Sequence, residues 1–405
     1  MSNTEEIEIP HYFICPISLQ MMKDPVIVPT GITYDRENIE KWVFSNNNQF
    51  CPVTKQPLPA ESVHDLITPN HTLRRLIQSW CAINASNGIE RFPTPKPAVT
   101  KSQITKLIND HSKSTTQAKI NCLTKLKSIA VVSHANKRCI EAAGGALFAA
   151  SLITESADAT NEALSTLHSL NLSDTSLKSL FKINGFLNAL TCAMKLGSYD
   201  SRAYAVMILK SITEVTDPTD MIIGSLNPRF FTEIVQLVKD QITPKATRAG
   251  LHVLINVTSI GRNRVKAVEA GAVQVMIDML VESSEKRVCE MALTVLDHLC
   301  QCAEGRAEVL SHGAGLAIVS KKIMRVSKVA SERAIRVLHS IAKHSGNAVA
   351  LKEMLEVGVV SKLCVVLQVE MGTKIKERVR EILKMHARTW KSAHCIPMAL
   401  LSSYP

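Results

Sequence analysis

The residues best suited to chemistry in the first 81 positions are three cysteines, Cys15, Cys51 and Cys81, and three histidines, His11, His64 and His71. A pair of tetrahedral zinc sites needs eight Cys or His donors, arranged in short pairs such as C-x2-C. Six candidates without such a pair do not build two sites, so no metal is expected. Cys15 and Cys51 open the tetrapeptides CPIS (15–18) and CPVT (51–54). A nucleophilic cysteine needs a His or Lys neighbour that stabilises its thiolate, and neither has a recognised partner motif. Cys15 is therefore expected to be a buried structural thiol. Cys300 and Cys302, in DHLCQCAEG, stand too close together and too isolated for a metal site. No cofactor is implied.

Short mixed elements must position these segments. Val26 to Val28 and Ile32 to Tyr34 are β-branched or aromatic runs joined by Pro29, Thr30 and Gly31, the pattern of a hairpin. A helix is expected to start at Asp35 as N-cap and to bury Ile39, Trp42 and Val43 at i, i+3 and i+4. A second follows Thr68 and Pro69, capped by Asn70, with Leu73, Leu76, Ile77 and Trp80 inward. Residues 46–50 and 51–59 between them read as irregular.

The rest of the chain is built differently. Of 405 residues, 46% are hydrophobic and only 4% aromatic, a balance that favours stacked helices over β-sandwiches. Residues 82–100, with Pro93, Pro95 and Pro97, read as an extended linker. Beyond it a repeat near 42 residues shows in two markers. Helix-breaking glycines recur at Gly144, Gly185, Gly271, Gly313 and Gly358, with Pro228 at the midpoint of the one double interval. Leucine-rich helices align Leu126, Leu167, Leu209, Leu254, Leu296, Leu338 and Leu383, with apolar residues at i, i+3, i+4 and i+7. The period and its helical segments resemble armadillo repeats from Ser102 to about Trp390. The expected division is a module at 9–81, the linker at 82–100, about six to seven repeats at 101–390 and a tail at 391–405.

Charge divides with the architecture. Residues 1–81 carry six Lys and Arg against nine Asp and Glu, whereas the remainder carries 41 against 27 within a total of +11. No run reaches the ~18 apolar residues of a membrane span, and the N-terminus has no basic flank of a secretory signal. Eleven scattered cysteines suit a reducing compartment, giving a cytoplasmic expectation with the nucleus as alternative.

Within the N-terminal module, CPIS, MKDPV (22–26), TGITYDR (30–36), CPVT and PNHTLRRLIQSW (69–80) together resemble the U-box, a RING-like fold without zinc. Followed by armadillo repeats, the chain is similar to plant U-box E3 ubiquitin ligases, especially the short subclass of immune and drought signalling. EIEIP (6–10), RFPTPKP (91–97) and QCAEGRAE (301–308) share that likeness. The implied fold is mainly α: a small α/β module, then an α-solenoid. In place of zinc, hydrogen bonds and ion pairs from Ser18, Asp24, Thr33, Asp35 and Asn70 are expected to hold the loops, each contributing roughly 0.5–3 kcal/mol.

The resemblance implies an E3 ubiquitin-protein ligase with no catalytic residue or covalent ubiquitin intermediate of its own. It docks a ubiquitin-charged E2 enzyme through Ile17, Leu19, Trp42 and Pro52. Lys55 stands where such ligases often place a basic residue bridging E2 and ubiquitin, although Lys lacks the bidentate fork of the commoner Arg. Expected partners are the E2, ubiquitin, a protein substrate on the armadillo groove and a second copy of the chain, with no nucleic acid. Basic residues cluster at Lys137 and Arg138, Lys245 and Arg248, Lys286 and Arg287, Lys321 to Lys328 and Lys374 to Arg388. Arg202, Arg248, Arg333 and Arg336 start helices expected to line the groove. The alternative reading is a non-catalytic armadillo scaffold or adaptor. Because the ligand pairs are missing, elemental analysis of the purified chain should find no stoichiometric zinc, and a chelator should leave its circular dichroism unchanged. Unfolding on chelation would overturn that expectation.

Overall fold

The computed structural model describes residues 8–45, 48, 50–58, 67–87, 89, 99–217, 221–224, 226–344 and 348–391. His64, most of the Pro-rich stretch and the tail beyond 391 lie outside them. The chain divides into two compact units: residues 1–110 with 125–145, and residues 111–124 with 146–405.

In the first unit, β1 (Pro25–Ile27) and β2 (Thr33–Asp35) form the expected hairpin, with Val26 opposite Tyr34. Gly31 makes the turn at φ +80°, a conformation that costs an L-residue with a Cβ roughly 1–2 kcal/mol. A third strand, β3 (Thr68–Pro69), pairs antiparallel with β1 and gives the order β2-β1-β3. Helix α1 (Arg36–Glu40) leaves β2 directly and widens into a π-helical turn at Lys41–Ser45. It buries Ile39 completely and lays Trp42 and Val43 partly buried against the core, as their spacing predicted.

Helix α2 (His71–Ile83) is capped as expected, Asn70 Oδ1 accepting from Leu73 N–H at 3.0 Å. Its buried stripe runs through Leu73, Ile77 and Cys81, one residue in four, and Trp80 flanks it edge-on to Phe13 at 5.9 Å. Leu76 was expected inward but is 52% exposed, because it sits at the edge of a stripe that the small Cys81 completes. Around Ile39 and Ile77 close Phe13, Met22, Val26 and Tyr34, all at most 3% exposed. Each such side chain stabilises by ~1.5–3 kcal/mol. The buried carboxylate of Glu40 pairs with Arg36 at 3.5 Å and accepts the backbone N–H of His134, which lies in the segment 125–145 of the same unit.

The repeat leucines all fall on one class of helix: α3 (Thr116–Val132), α4 (Ala157–Leu170), α5 (Tyr199–Val215), α6 (Pro244–Thr258), α7 (Lys286–Leu299), α8 (Lys328–His344) and α9 (Thr373–Met385). Each aligned leucine is at most 1% exposed, and α4 to α9 pack in sequence order, each on the next. Gly144, Gly185, Gly271 and Gly358 break the intervening helices at φ between 72° and 85°. Gly313 differs from the expected pattern: its turn closes through Gly315 N–H to His312 O at 2.8 Å, with no left-handed glycine. Pro228 opens the helix Pro228–Asp240 after Asn227 as cap, the changed breaker that the spacing implied.

Polar side chains tie each unit to its neighbour one period away. Lys119 meets Glu155 at 2.6 Å, and Arg248 meets Glu285 at 3.0 Å. Lys322 Nζ donates to Ser283 O at 2.9 Å, and Lys362 Nζ to Ser320 O at 2.8 Å. Arg202 binds Met194 O at 2.8 Å and the carboxylate of Asp240. Arg333 and Arg336 converge on Asp297 at 2.8 and 2.6 Å, its side chain 4% exposed. Since the two arginines are about a third exposed and can return to water, Asp297→Asn should cost only about 1–3 kcal/mol. Arg333→Ala with Arg336→Ala strands a buried charge and should cost more, about 3–5 kcal/mol. Urea unfolding of the two variants checks the order, and the reverse order would remove Asp297 as the anchor.

Candidate functional site

The loops opened by Cys15 and Cys51 have the same backbone. Cys15 N–H donates to Gln20 O and Cys51 N–H to Gln56 O, both at 2.8 Å. Leu19 N–H returns to Cys15 O at 2.9 Å, and Lys55 N–H to Cys51 O at 3.0 Å. Bridges Ile14–Met21 and Phe50–Pro57 close the two loops. Leu19 and Lys55 occupy the same corner at φ +56° and +58°, left-handed positions held against their usual cost by the surrounding bonds. The pattern C-P-[IV]-[ST]-x-Q, repeated 36 residues apart, is the sequence signal of this duplication.

Consecutive residues of β2 bring the loops together, because neighbours on a strand face opposite ways. Asp35 N–H donates to Cys15 Sγ at 3.3 Å, while Asn38 bonds Ser18 Oγ at 3.0 Å and Cys15 Sγ at 3.7 Å. Tyr34 OH lies 3.0 Å from Cys51 Sγ and accepts Val53 N–H at 3.3 Å, and Thr30 adds a hydroxyl to Cys51 at 3.3 Å. Burial alone would raise the Cys51 pKa. Hydroxyl bonds from Thr30, Thr54 and Tyr34 and the Thr54 N–H outweigh it and bring the thiol down to about 6. Tyr34 moves upward, through burial and through its bond to Cys51, as befits the donor of that pair.

A carboxylate pair locks the base of the hairpin. Asp35 holds the N-cap position but does not cap α1: its Oδ1 accepts Lys23 N–H at 2.9 Å and Asp24 N–H at 2.8 Å instead. Burial pushes its pKa up against those two bonds. Asp24 receives Arg36 at 2.7 Å and Arg74 from α2, tying hairpin to helix across 50 residues. Thr33 supplies its backbone to the ladder opposite Ile27, and the threonines that join the sulfur network are Thr30 and Thr54. Tyr34, Arg36, Asn38 and Arg74 carry much of the network and were not singled out in the sequence; the TYDR and LRR runs hold three of them, and Asn38 lies two residues past the first.

What the loops present is apolar. Leu19 is 77% exposed, Phe50 56% and Val53 51%, with Ile17 and Pro52 half-buried beside them. Trp42 donates its indole N–H to Phe50 O at 2.9 Å and packs its ring against the core. Lys55 is exposed at the tip of the second loop. Both loop cysteines are fully buried.

Comparison with known families matches residues 9–86 to the U-box domain and residues 103–405 to the plant U-box protein ARM repeat region. The chain belongs to the plant U-box ARM-repeat family. It is 52% identical to E3 ubiquitin-protein ligase PUB23 of Arabidopsis thaliana over 99% of this chain and 98% of that one. Identity to E3 ubiquitin-protein ligase PUB22 of the same plant is 48%, over 99% of each chain. In the solved structure described as "A conserved phosphorylation switch controls the interaction between cadherin and beta-catenin in vitro and in vivo", one chain shares the fold. Its TM-score is 0.60 at 14% identity, covering 82% of this chain and 60% of that one. U-box and relatives together make the protein an E3 ubiquitin ligase.

In the U-box, hydroxyls and N–H groups occupy the surroundings of both loop sulfurs. Among the described residues no cluster of three His, Cys, Asp or Glu side chains offers a metal site, and no helix is long and apolar enough to cross a membrane. Cys51 makes the U-box pH-sensitive. Its folded pKa of about 6 lies below that of a free thiol, about 8.5. The linked stability is therefore full above the free value and is lost as pH falls through the folded one. Urea midpoints of the wild type should exceed those of Cys51→Ser by more at about pH 9 than at about pH 5. A gap that does not change with pH would show that the sulfur is not held as a thiolate.

Proposed function

We propose that this E3 ubiquitin ligase docks a ubiquitin-charged E2 on the paired U-box loops and transfers ubiquitin to lysines of a substrate recruited by the ARM repeats. The observation that carries the reading is the duplicated loop, whose two copies expose Leu19 and Val53 while Ile17 and Trp42 pack partly on the core. Two short hairpins clamped to one strand form a rigid apolar patch that loses little entropy when a partner covers it. The gain in rate is positional: the E2 thioester is held where a substrate amine can attack it.

Lys55, at the corner equivalent to Leu19, is in place to add a point charge between E2 and ubiquitin. Transfer passes directly from E2 to substrate. Cys15 and Cys51 are fully buried and their sulfurs already accept hydrogen bonds, which argues against a covalent ubiquitin intermediate on either. The likeness of EIEIP, RFPTPKP and QCAEGRAE to the short subclass leads us to place the activity in stress or immune signalling, and the scattered cysteines suit the cytoplasm, with the nucleus as alternative.

The deciding experiment combines the purified chain with E1, a panel of E2 enzymes, ubiquitin and ATP, and scores self-ubiquitination. Inactivity with every E2 would favour the scaffold reading. Leu19→Ala should lower transfer at limiting E2 by about 10–150-fold, the effect of losing ~1.5–3 kcal/mol of apolar contact. Its melting temperature should not change, because Leu19 touches solvent rather than core. Ile17→Ala should lose transfer and some stability together, since Ile17 also packs on the core. Full activity of a folded Leu19→Ala protein would move the docking face elsewhere.

A further inference from the structure

A groove of about 520 Å³ runs across α4, α5, α6 and α7. Its floor is apolar, from Leu167, Met207 and Ile208, and no Asp or Glu lines it. Its cations stand in two rows at the repeat spacing. His168, Lys210 and His252 follow one another at intervals of 42 residues, and Lys245 and Arg287 are again 42 apart, with Arg248 beside them.

Two of these cations have partial partners. Lys210 meets Glu214 at 3.2 Å and Arg248 meets Glu285 at 3.0 Å, both carboxylates more than 40% exposed. Lys245 and Arg287 are exposed and have no carboxylate within ion-pair distance among the described residues. Burial lowers the His252 pKa, and the charges of Lys210 and Arg287 press it further down against Glu214. The contrast with the other groove arginines is informative. Arg202, Arg333 and Arg336 already neutralise carboxylates of neighbouring repeats, whereas Lys245 and Arg287 have no such partner among the described residues.

Resting on the reading that the ARM repeats recruit substrate, we infer that this groove binds an extended protein segment bearing regularly spaced negative charge, with Lys210, Lys245, Arg248 and Arg287 as its contacts. Neighbouring packed helices lie about 8–10 Å apart and an extended chain advances about 3.3 Å per residue. One row of cations therefore meets one anionic side chain in roughly every three. Carboxylate and phosphate share this chemistry, and Arg248 and Arg287 suit either through their forked guanidinium groups. A polypeptide fits better than nucleic acid, because the groove offers no Phe, Tyr or Trp on which bases would stack.

The test uses the full chain and fluorescent peptides of about twelve residues with a lysine near one end and every third residue varied. Three versions carry phosphoserine, glutamate or glutamine at the varied positions, and a single-stranded oligonucleotide of equal charge is the fourth probe. Anisotropy should show the phosphoserine and glutamate peptides, or one of them, binding at least tenfold tighter than the glutamine peptide. That preference should weaken as salt rises. The double variant Lys245→Glu with Arg287→Glu, both surface positions, should lose at least tenfold in affinity while its circular dichroism is preserved. Failure of every peptide to bind, equal binding of the glutamine peptide, an unaffected double variant, or tighter binding of the oligonucleotide would each overturn the inference.

Self-ubiquitination and modification of the peptide lysine, followed in the same mixtures, separate the two levels. An acidic peptide that binds but is not modified by a self-ubiquitinating enzyme overturns recruitment and leaves the groove standing. Active self-ubiquitination without peptide binding overturns the groove and leaves the E2 reading standing.

Discussion

Two adjacent residues of one short strand, Tyr34 and Asp35, organise the U-box. Tyr34 reaches the sulfur of Cys51 through its hydroxyl, and Asp35 reaches the sulfur of Cys15 through its backbone N–H. Hydrogen bonding here does what metal coordination does in a cross-braced module: it fixes two irregular loops that have no core of their own. The arrangement holds because few donors and acceptors are left over. The Asp35 carboxylate takes two backbone N–H groups of the preceding turn, and Asp24 takes two arginines. Buried polar groups are costly unless paired, so removing one member leaves several others exposed to that cost.

The sulfur at Cys51 shows how this environment shapes chemistry without making the cysteine a nucleophile. Three hydroxyls favour its thiolate, yet the same hydroxyls enclose it, and the residue has no exposed surface. A low thiol pKa is often a mark of reactivity. In this loop it reflects the strength of the acceptor that holds Tyr34 and Thr30, and the surface left for a partner is the apolar one around Leu19, Phe50 and Val53.

The ARM repeats solve a different problem with a related device. Each repeat buries its leucine stripe against the next, and polar side chains one period apart keep the stack in register. Several basic residues of the repeat helices serve that purpose, Arg202, Arg333 and Arg336 among them. A positive total charge therefore says little about where a ligand meets it. Around Lys245 and Arg287, which have no carboxylate within ion-pair distance among the described residues, positive charge remains available.

Much of this was legible from residue types and spacing. The leucine and glycine periods gave seven aligned helices, because a 42-residue repeat leaves a periodic apolar record. The hairpin, the Asn70 cap and the burial of Cys15, Ile39 and Ile77 followed from local rules of the same kind. Tertiary structure decided the contacts between residues far apart in the chain. Arg74 reaches Asp24 across 50 positions, Asp35 leaves its expected cap for the preceding turn, and Leu76 gives way to Cys81 on the buried stripe. It also grouped residues 125–145 with the first compact unit, where the backbone of His134 meets the buried Glu40. Short-range periodicity is written into the sequence because neighbours along the chain share one face. The partner of a charge is chosen by packing, and no spacing rule encodes it.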